Sequence, residues 1–288
     1  MQLVIYYAFR MGVFIFAAIP FPLLYRLSDI SAWLIYRVFR YRRRVTLENL
    51  RKAFPKLPER KVKQIARRSY GNLSDILLES MKGFSMTRDT LIKRYRIENP
   101  ELLNAYYQRG QSVIGVTAHY ANWEWGALAG RLQLKHLPVA LYKPLSNQYI
   151  DGFLKQNRAE NGTLMRPIYK TSQTFRELDG QTCLFLMVAD QHPSNIEKSY
   201  WVHFLGRQTP CLHGPEKHAQ SNQFPLVYLD IRRKKRGFYS IRILPLVEDP
   251  GHFESGVITQ RYIHTLEKII RQEPANWLWT HKRWKKTD

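Results

Sequence analysis

The first 25 residues are almost continuously apolar; after them, apolar positions come in short β-branched runs or at helical spacing. The opening stretch, "LVIYYAFRMGVFIFAAIPFPLLY" from Leu3 to Tyr25, carries Arg10 as its single charge. Wound as one helix it is about 34 Å long, enough to cross a hydrocarbon core of about 30 Å. It predicts a membrane-anchoring helix, with Pro20 and Pro22 near the far end, where a break is tolerated. A cleaved signal is a poorer fit, because no Lys or Arg precedes the apolar block and no small-x-small site follows it. The segment "ISAWLIYRVF" then runs into "RYRRR" at Arg40 to Arg44. Such a basic cluster beside an anchor suits the cytoplasmic face of a membrane and its anionic headgroups. A spanning segment and one lying in the interface both satisfy this pattern.

The next helix, "TLENLRKAF", is stopped by "FPKLPER" around Pro55 and Pro58. From Glu59 to about Gly83, Val62, Ile65, Ala66, Leu73, Ile76 and Leu77 recur at helical spacing, with Arg and Lys on the other face. Further on, the runs "SVIGVTA", "PVALY", "TCLFLMVA", "PLVYLDI" and "YSIRILPL" read as strands. They alternate with the helical "WEWGALAGRLQL", "NQYIDGFLKQNRAE", "TSQTFRELDG", "EKHAQSN" and "VITQRYIHTLEKIIRQ". This alternation predicts an α/β fold with a mainly parallel central sheet flanked by helices. The basic "RRKKRG" at Arg232 to Gly237 reads as a hairpin turn carrying solvated charge. The expected organisation is a membrane anchor at 1–27, a helical membrane-proximal region at 28–100 and an α/β domain at 101–288.

Composition adds one strong feature. An apolar share of 44% is that of an ordinary folded chain, but 45 Lys and Arg against 23 Asp and Glu give a net charge of +22. The partners are therefore expected to be anionic: nucleic acid, a membrane surface, a phosphorylated substrate or an acidic carrier protein. No groove-reading helix or RNA-binding motif accompanies the basic-aromatic stretches "YRRR" and "HKRWKK", which argues against nucleic acid. Cys183 lies inside an apolar run, and Cys211 with His213 and His218 lacks the paired spacing of a metal site. No metal or organic cofactor is expected, and a reducing compartment fits the two cysteines.

Candidate chemistry centres on "VIGVTAHYANWEWGAL", Val113 to Leu128. His119 ends an apolar strand, the end at which open α/β sheets bind ligands. Glu124 falls in the opening turn of the next helix, near the positive end of its dipole. A strand–turn–helix link lets the Glu124 carboxylate fold back onto one ring nitrogen of His119, leaving the other as a general base. A hydrogen-bonded core histidine also satisfies this spacing, which recurs at His192 and Glu197 in a polar loop. No Ser or Cys stands beside His119, so the nucleophile would be a substrate hydroxyl and the reaction acyl transfer to an acceptor.

The ordered blocks "YRRRVTLENLRKAFP", "GVTAHYANWEWG", "VALYKPLSNQYIDGFLKQNR", "VADQHPSNIEKSYWVHFLGRQTP" and "NWLWTHKRWK" span nearly the whole chain. Together they resemble the bacterial lipid A late acyltransferase family, a branch of the lysophospholipid acyltransferases. The resemblance implies that His119 is the base and Glu124 its orienting acid. It implies acyl carrier protein bearing an acyl thioester as donor, and a 3-hydroxyacyl chain on a phosphorylated glucosamine disaccharide as acceptor, in lipopolysaccharide biosynthesis. Another glycolipid, a lysophospholipid or an aminolipid would serve the same chemistry. Arg158 and Arg166 fall where related enzymes place a phosphate-binding arginine, Arg166 being the preferred candidate. Asp190 is expected to orient Arg166 or a substrate hydroxyl, Lys143 to contact phosphate, and Asn122 and Trp123 to shape the turn and wall. His281, Arg283 and Trp284 would close the site or lie at the membrane surface.

Overall fold

The computed structural model describes residues 1–285. In chain order the helices are α1 (Gln2–Ala18), α2 (Phe21–Trp33), α3 (Arg43–Ala53), α4 (Glu59–Gly83), α5 (Arg88–Arg94), α6 (Glu101–Gln108), α7 (Trp123–Ala129), α8 (Gln148–Glu160), α9 (Thr171–Glu177), α10 (Gly214–Asn222) and α11 (Val257–Gln272). The strands are β1 (Tyr95–Ile97), β2 (Val113–Thr117), β3 (Leu137–Tyr142), β4 (Leu164–Pro167), β5 (Cys183–Val188), β6 (Ser199–Phe204), β7 (Arg207–Leu212), β8 (Leu226–Lys235) and β9 (Phe238–Val247). The central sheet runs β1-β9-β8-β2-β5-β3-β4, and β6 pairs with β7 in a separate hairpin. Strands β2, β3, β4, β5 and β8 are parallel, as the alternation of strand and helix predicts. Only β9 turns back on β8, and it carries β1 parallel to itself. One core of buried side chains reaches from Tyr36 to Trp284, so the helical region and the sheet share their interior.

The apolar N-terminus differs from a single anchoring helix. The chain leaves the helix at Ile19 (ψ 123) and restarts after Pro20, because a proline pushes the residue before it out of the helical region and offers no N–H. The 17 residues of α1 are about 25 Å long, and no helix among the described residues is long and apolar enough to cross a membrane. Instead α1 lies against α4 and α8. Phe9 packs on Phe84 and Phe153, the Arg10 guanidinium sits over Phe153, and the Lys82 ammonium caps the end of α1 at the Ala17 and Ile19 carbonyls. The other side of α1, with Val4, Tyr7, Met11 and Phe14, stays exposed, as do Ile30, Trp33 and Phe39 further on.

The turn of the β8–β9 hairpin departs from expectation in part: Lys234 and Lys235 are exposed, but the neighbouring arginines turn inward. Arg233 and Arg236 both reach buried Asp75 of α4, and Arg236 also binds Asp29 of α2. Ser28 of α2 completes the Asp75 cluster at 2.6 Å. Basic residues at a hairpin tip thus clamp two helices to the sheet, since a buried carboxylate needs cationic or hydrogen-bonding partners.

Candidate active site

The site forms where β2 and β5 end side by side. Their parallel register places Thr117 opposite Val188, so two residues later His119 and Asp190 leave the sheet at the same level. Asp190 Oδ1 lies 2.7 Å from His119 Nδ1, and the Trp277 indole N–H donates to Asp190 Oδ2 at 2.8 Å. Asp190 is 3% exposed, so these two donors are what make its burial tolerable. Trp277 reaches it because the C-terminal segment runs antiparallel to the turn after β2. Tyr120 bridges Trp277, Ala121 N–H donates to the Asn276 carbonyl, and Leu278 N–H to that of His119. Asn49 of α3 secures the same segment by donating to the carbonyls of Trp279 and His281.

Between His119 and α7 the chain turns sharply. Ala121 is left-handed (φ 51), a conformation costing an L-residue about 1 kcal/mol or more. Asn122 follows as the N-cap of α7, its Oδ1 accepting the Trp125 N–H at 2.9 Å. Its amide donates to Glu79 of α4, which also accepts from Tyr25 and Tyr239. Burial, set against those three donors and reinforced by Asp75, pushes the Glu79 carboxyl up to about 7. Trp123 then packs edge-on against the His119 ring, with centroids 5.0 Å apart.

The electrostatics of the pair follow from its surroundings. Burial works against protonation of His119, but the Asp190 charge and hydrogen bond outweigh it, with a smaller contribution from the Glu124 charge, and the pKa is raised. Burial works against ionisation of Asp190, yet His119 and Trp277 together hold its pKa below the ordinary carboxylate value. The pair therefore favours an ionised aspartate beside a histidine with its proton on Nδ1. The remaining nitrogen, Nε2, meets the Gln191 amide nitrogen at 3.2 Å.

The expected contact between Glu124 and His119 is not made. Both ring nitrogens of His119 are occupied, and the Glu124 carboxylate turns to Arg158 at 2.6 Å and to the Trp123 indole at 3.1 Å. Side-chain register explains this: Asp190 arrives on the neighbouring strand end, whereas Glu124 is one helical turn past Ala121 and points across to α8. Arg158, buried in α8, is thus committed to Glu124. Asp190 does not orient Arg166 either. On β4, Met165 faces the sheet's interior cavity, so Arg166 points the other way, 3.8 Å from Glu177 of α9. Lys143 is exposed just beyond β3. His281 is close to the pair, whereas Arg283 is fully buried, donating to the Pro210 carbonyl and to Cys211 Sγ. Trp277, Gln191 and Glu79 carry the site without having stood out in the sequence. Trp277 and Glu79 have no spacing relation to His119, and Gln191 was visible only as the neighbour of Asp190.

Two spaces meet at Trp123 and Glu124. One is an apolar cavity of about 160 Å³ beneath α7, walled by Ala127, Ala140, Met165, Leu186, Leu229 and Ile241 among others. Packing around it is tight: a Cβ on Gly115 would meet Leu184 and Leu229 at 3.1 Å, and one on Gly126 would meet the Tyr95 hydroxyl at 2.9 Å. The other is an open groove of about 850 Å³ lined by Phe39, Arg42, Ile76, Leu77, Gln191 and His281 among others. A half-buried histidine on a buried aspartate, beside a tryptophan that walls both an apolar slot and an open groove, suits acyl chemistry on a lipid hydroxyl.

The comparisons with known proteins agree with that chemistry. A family model described as "Bacterial lipid A biosynthesis acyltransferase" matches residues 1–286. A lipid A biosynthesis acyltransferase of Haemophilus influenzae is 21% identical over 97% of this chain and 91% of its own length. A lipid A biosynthesis lauroyltransferase of Escherichia coli is 20% identical over 93% of this chain and 87% of its own. With the model covering the chain from its first residue through the site to its C-terminal tryptophans, the protein belongs to the bacterial lipid A biosynthesis acyltransferase family and is an acyltransferase.

Proposed function

We propose that the protein moves a fatty acyl chain from an acyl carrier protein thioester to the hydroxyl of a 3-hydroxyacyl chain on a lipid A precursor, with His119 as general base. The observation that supports this best is the His119–Asp190 pair set beside Trp123, which walls both the apolar cavity and the open groove, and beside Gln191, which lines the groove. In this reading the cavity takes the donor chain and the groove takes the acceptor. Asp190 keeps the proton of the neutral imidazole on Nδ1, so the Nε2 lone pair accepts the hydroxyl proton, and its charge stabilises the imidazolium that results. Glu124 assists through its charge on His119 and through the Arg158 ion pair, which borders the donor cavity. Arg42 on the groove wall and the neighbouring Arg40, Arg43 and Arg44 supply cations for the acceptor's phosphates. Arg166 and Lys143, at the far edge of the sheet, are left to meet the acidic carrier. The exposed apolar side chains of α1, α2 and residues 34–39 seat the enzyme on the cytoplasmic leaflet of the inner membrane.

The test is turnover by the full chain in detergent, with a panel of acyl carrier protein thioesters and a tetra-acylated lipid A precursor. Transfer by the wild type that falls by orders of magnitude in folded His119→Ala supports the reading. Undiminished transfer in that variant removes His119 as base. If no donor gives turnover, the lipids of a deletion strain decide: unchanged lipid A there would point to another lipid acceptor.

A further inference from the structure

We infer that Gln191 and His281 form the oxyanion site of this enzyme, donating from the Gln191 side-chain amide and from His281 Nδ1. This rests on the acyl-transfer reading above and names the groups that would hold the charge developing on the thioester oxygen. The Gln191 amide nitrogen lies 3.2 Å from His119 Nε2, on the lone pair that an acceptor hydroxyl must use. When the hydroxyl takes that position, the amide is left beside the attacked carbonyl with an N–H to give. Gln191 lines the acceptor groove, and so does His281.

His281 is held for the same task by its backbone surroundings. The backbone N–H of His192, the residue after Gln191, donates to His281 Nε2 at 3.0 Å. With Nε2 accepting, the ring proton of the neutral imidazole sits on Nδ1, which has no protein partner among the described residues. The ring also remains neutral across the working range: burial, and the nearby charge of Arg283, outweigh the pull of Asp190 and bring its pKa down to about 4. A neutral imidazole with a fixed proton is a donor that does not give the proton away, which is what an oxyanion site needs. One residue of separation between Gln191 and His192 ties both donors to the strand end that carries Asp190.

The step balances without a further reactant. The acceptor O–H loses its proton to His119 Nε2 as the oxygen bonds to the thioester carbon. The carbonyl π pair moves to oxygen, where the Gln191 and His281 N–H groups receive it. Collapse re-forms the carbonyl, breaks the C–S bond and sends the His119 proton to the leaving sulfur, giving ester and thiol.

Steady-state transfer by the full chain tests the assignment with Gln191→Leu, His281→Ala and His281→Asn, each checked for an unchanged unfolding midpoint. Asparagine places an amide N–H near the position of Nδ1. Removal of either donor is expected to lower kcat by roughly 10²–10³-fold with KM little altered, and His281→Asn to recover most of the loss. Wild-type kcat in Gln191→Leu or in His281→Ala, or a kcat raised by removing Gln191 from Nε2, overturns the inference while leaving His119 as base. A loss in His281→Ala that asparagine does not relieve also overturns it, and points to packing. Absence of turnover in the wild type with every donor, together with unchanged lipid A in the deletion strain, overturns the underlying reading and this inference together.

Discussion

Asp190 and Glu124 are both carboxylates within reach of His119's field, but they differ in how they act on it. Asp190 is in contact and dominates the upward pull on the His119 pKa; Glu124 acts by charge alone. Neutral His119 is populated only above that raised pKa, so transfer that uses it as a base should climb as pH rises through it. In Asp190→Asn the burial that opposes protonation remains and the main compensating charge is gone, so the limb should move to lower pH. The same change should cost kcat roughly 10²–10⁴-fold, through the lost tautomer control and imidazolium stabilisation. A pH–rate profile showing the limb unmoved would mean that His119 is not the group titrating. Glu124→Gln should move the limb less. Its larger effect should be on stability, about 1–3 kcal/mol, because it strands the guanidinium of buried Arg158; the figure is kept below that of a fully buried pair because Glu124 is 36% exposed. Chemical denaturation of the two variants side by side checks the order.

At the scale of elements, α4 and α7 are joined by a carboxyl that the fold prefers protonated. Glu79 rises from an ordinary 4.5 to about 7 in the folded protein. The folded state therefore binds more proton than the unfolded one between those values, and stability falls as pH rises from about 4.5 to 7. The contribution is up to about 3 kcal/mol across that window. Glu79→Gln should flatten the wild-type slope there, and a difference curve of unfolding free energy against pH reads it directly; parallel curves would remove Glu79 from the balance. Helix α7 also roofs the apolar cavity, whose walls include Ala127 of α7 and Ala140 of β3 among larger apolar neighbours. Ala127→Leu or Ala140→Leu should fill part of the slot and move preference to shorter acyl chains, seen as a fall in kcat/KM for long donors only. An equal loss for every chain length would mean that the cavity does not hold the donor.

For the molecule as a whole, α1, α2 and residues 34–39 leave many apolar side chains exposed, and Phe39 belongs both to this surface and to the groove wall. Large contiguous apolar patches are uncommon on monomers that meet only water. With a net charge of +22, binding should combine apolar insertion with attraction to anionic lipid. Flotation with vesicles should show stronger retention on anionic than on zwitterionic lipid, weakened by salt. Phe14→Glu, Trp33→Glu and Phe39→Glu combined should release the protein without lowering its unfolding midpoint. Retention unchanged by the triple substitution would place the membrane contact elsewhere.

Local chemistry in the sequence determined much of this protein. β-branched runs alternating with helical periods specify a mainly parallel α/β fold, because each pattern buries its apolar face only in that arrangement. His119 stood out because it ends the apolar β2 run just before a helix that opens with Glu124. The pattern could not reveal short or partly exposed strands such as β1, β4 and the β6–β7 hairpin, whose apolar signal is weak over so few residues. The spacing of His119 and Glu124 suggested a pair, and only tertiary structure decided otherwise. Strand order put β5 beside β2 in a register that delivers Asp190, 71 positions away, onto Nδ1. The C-terminal segment then brought Trp277 to hold it, and the prolines at 20 and 22 divided an apolar run that reads as one helix. Sequence fixes what each residue can do with its near neighbours. Which groups finally meet depends on strand register and packing, which are set by contacts between residues far apart in the chain.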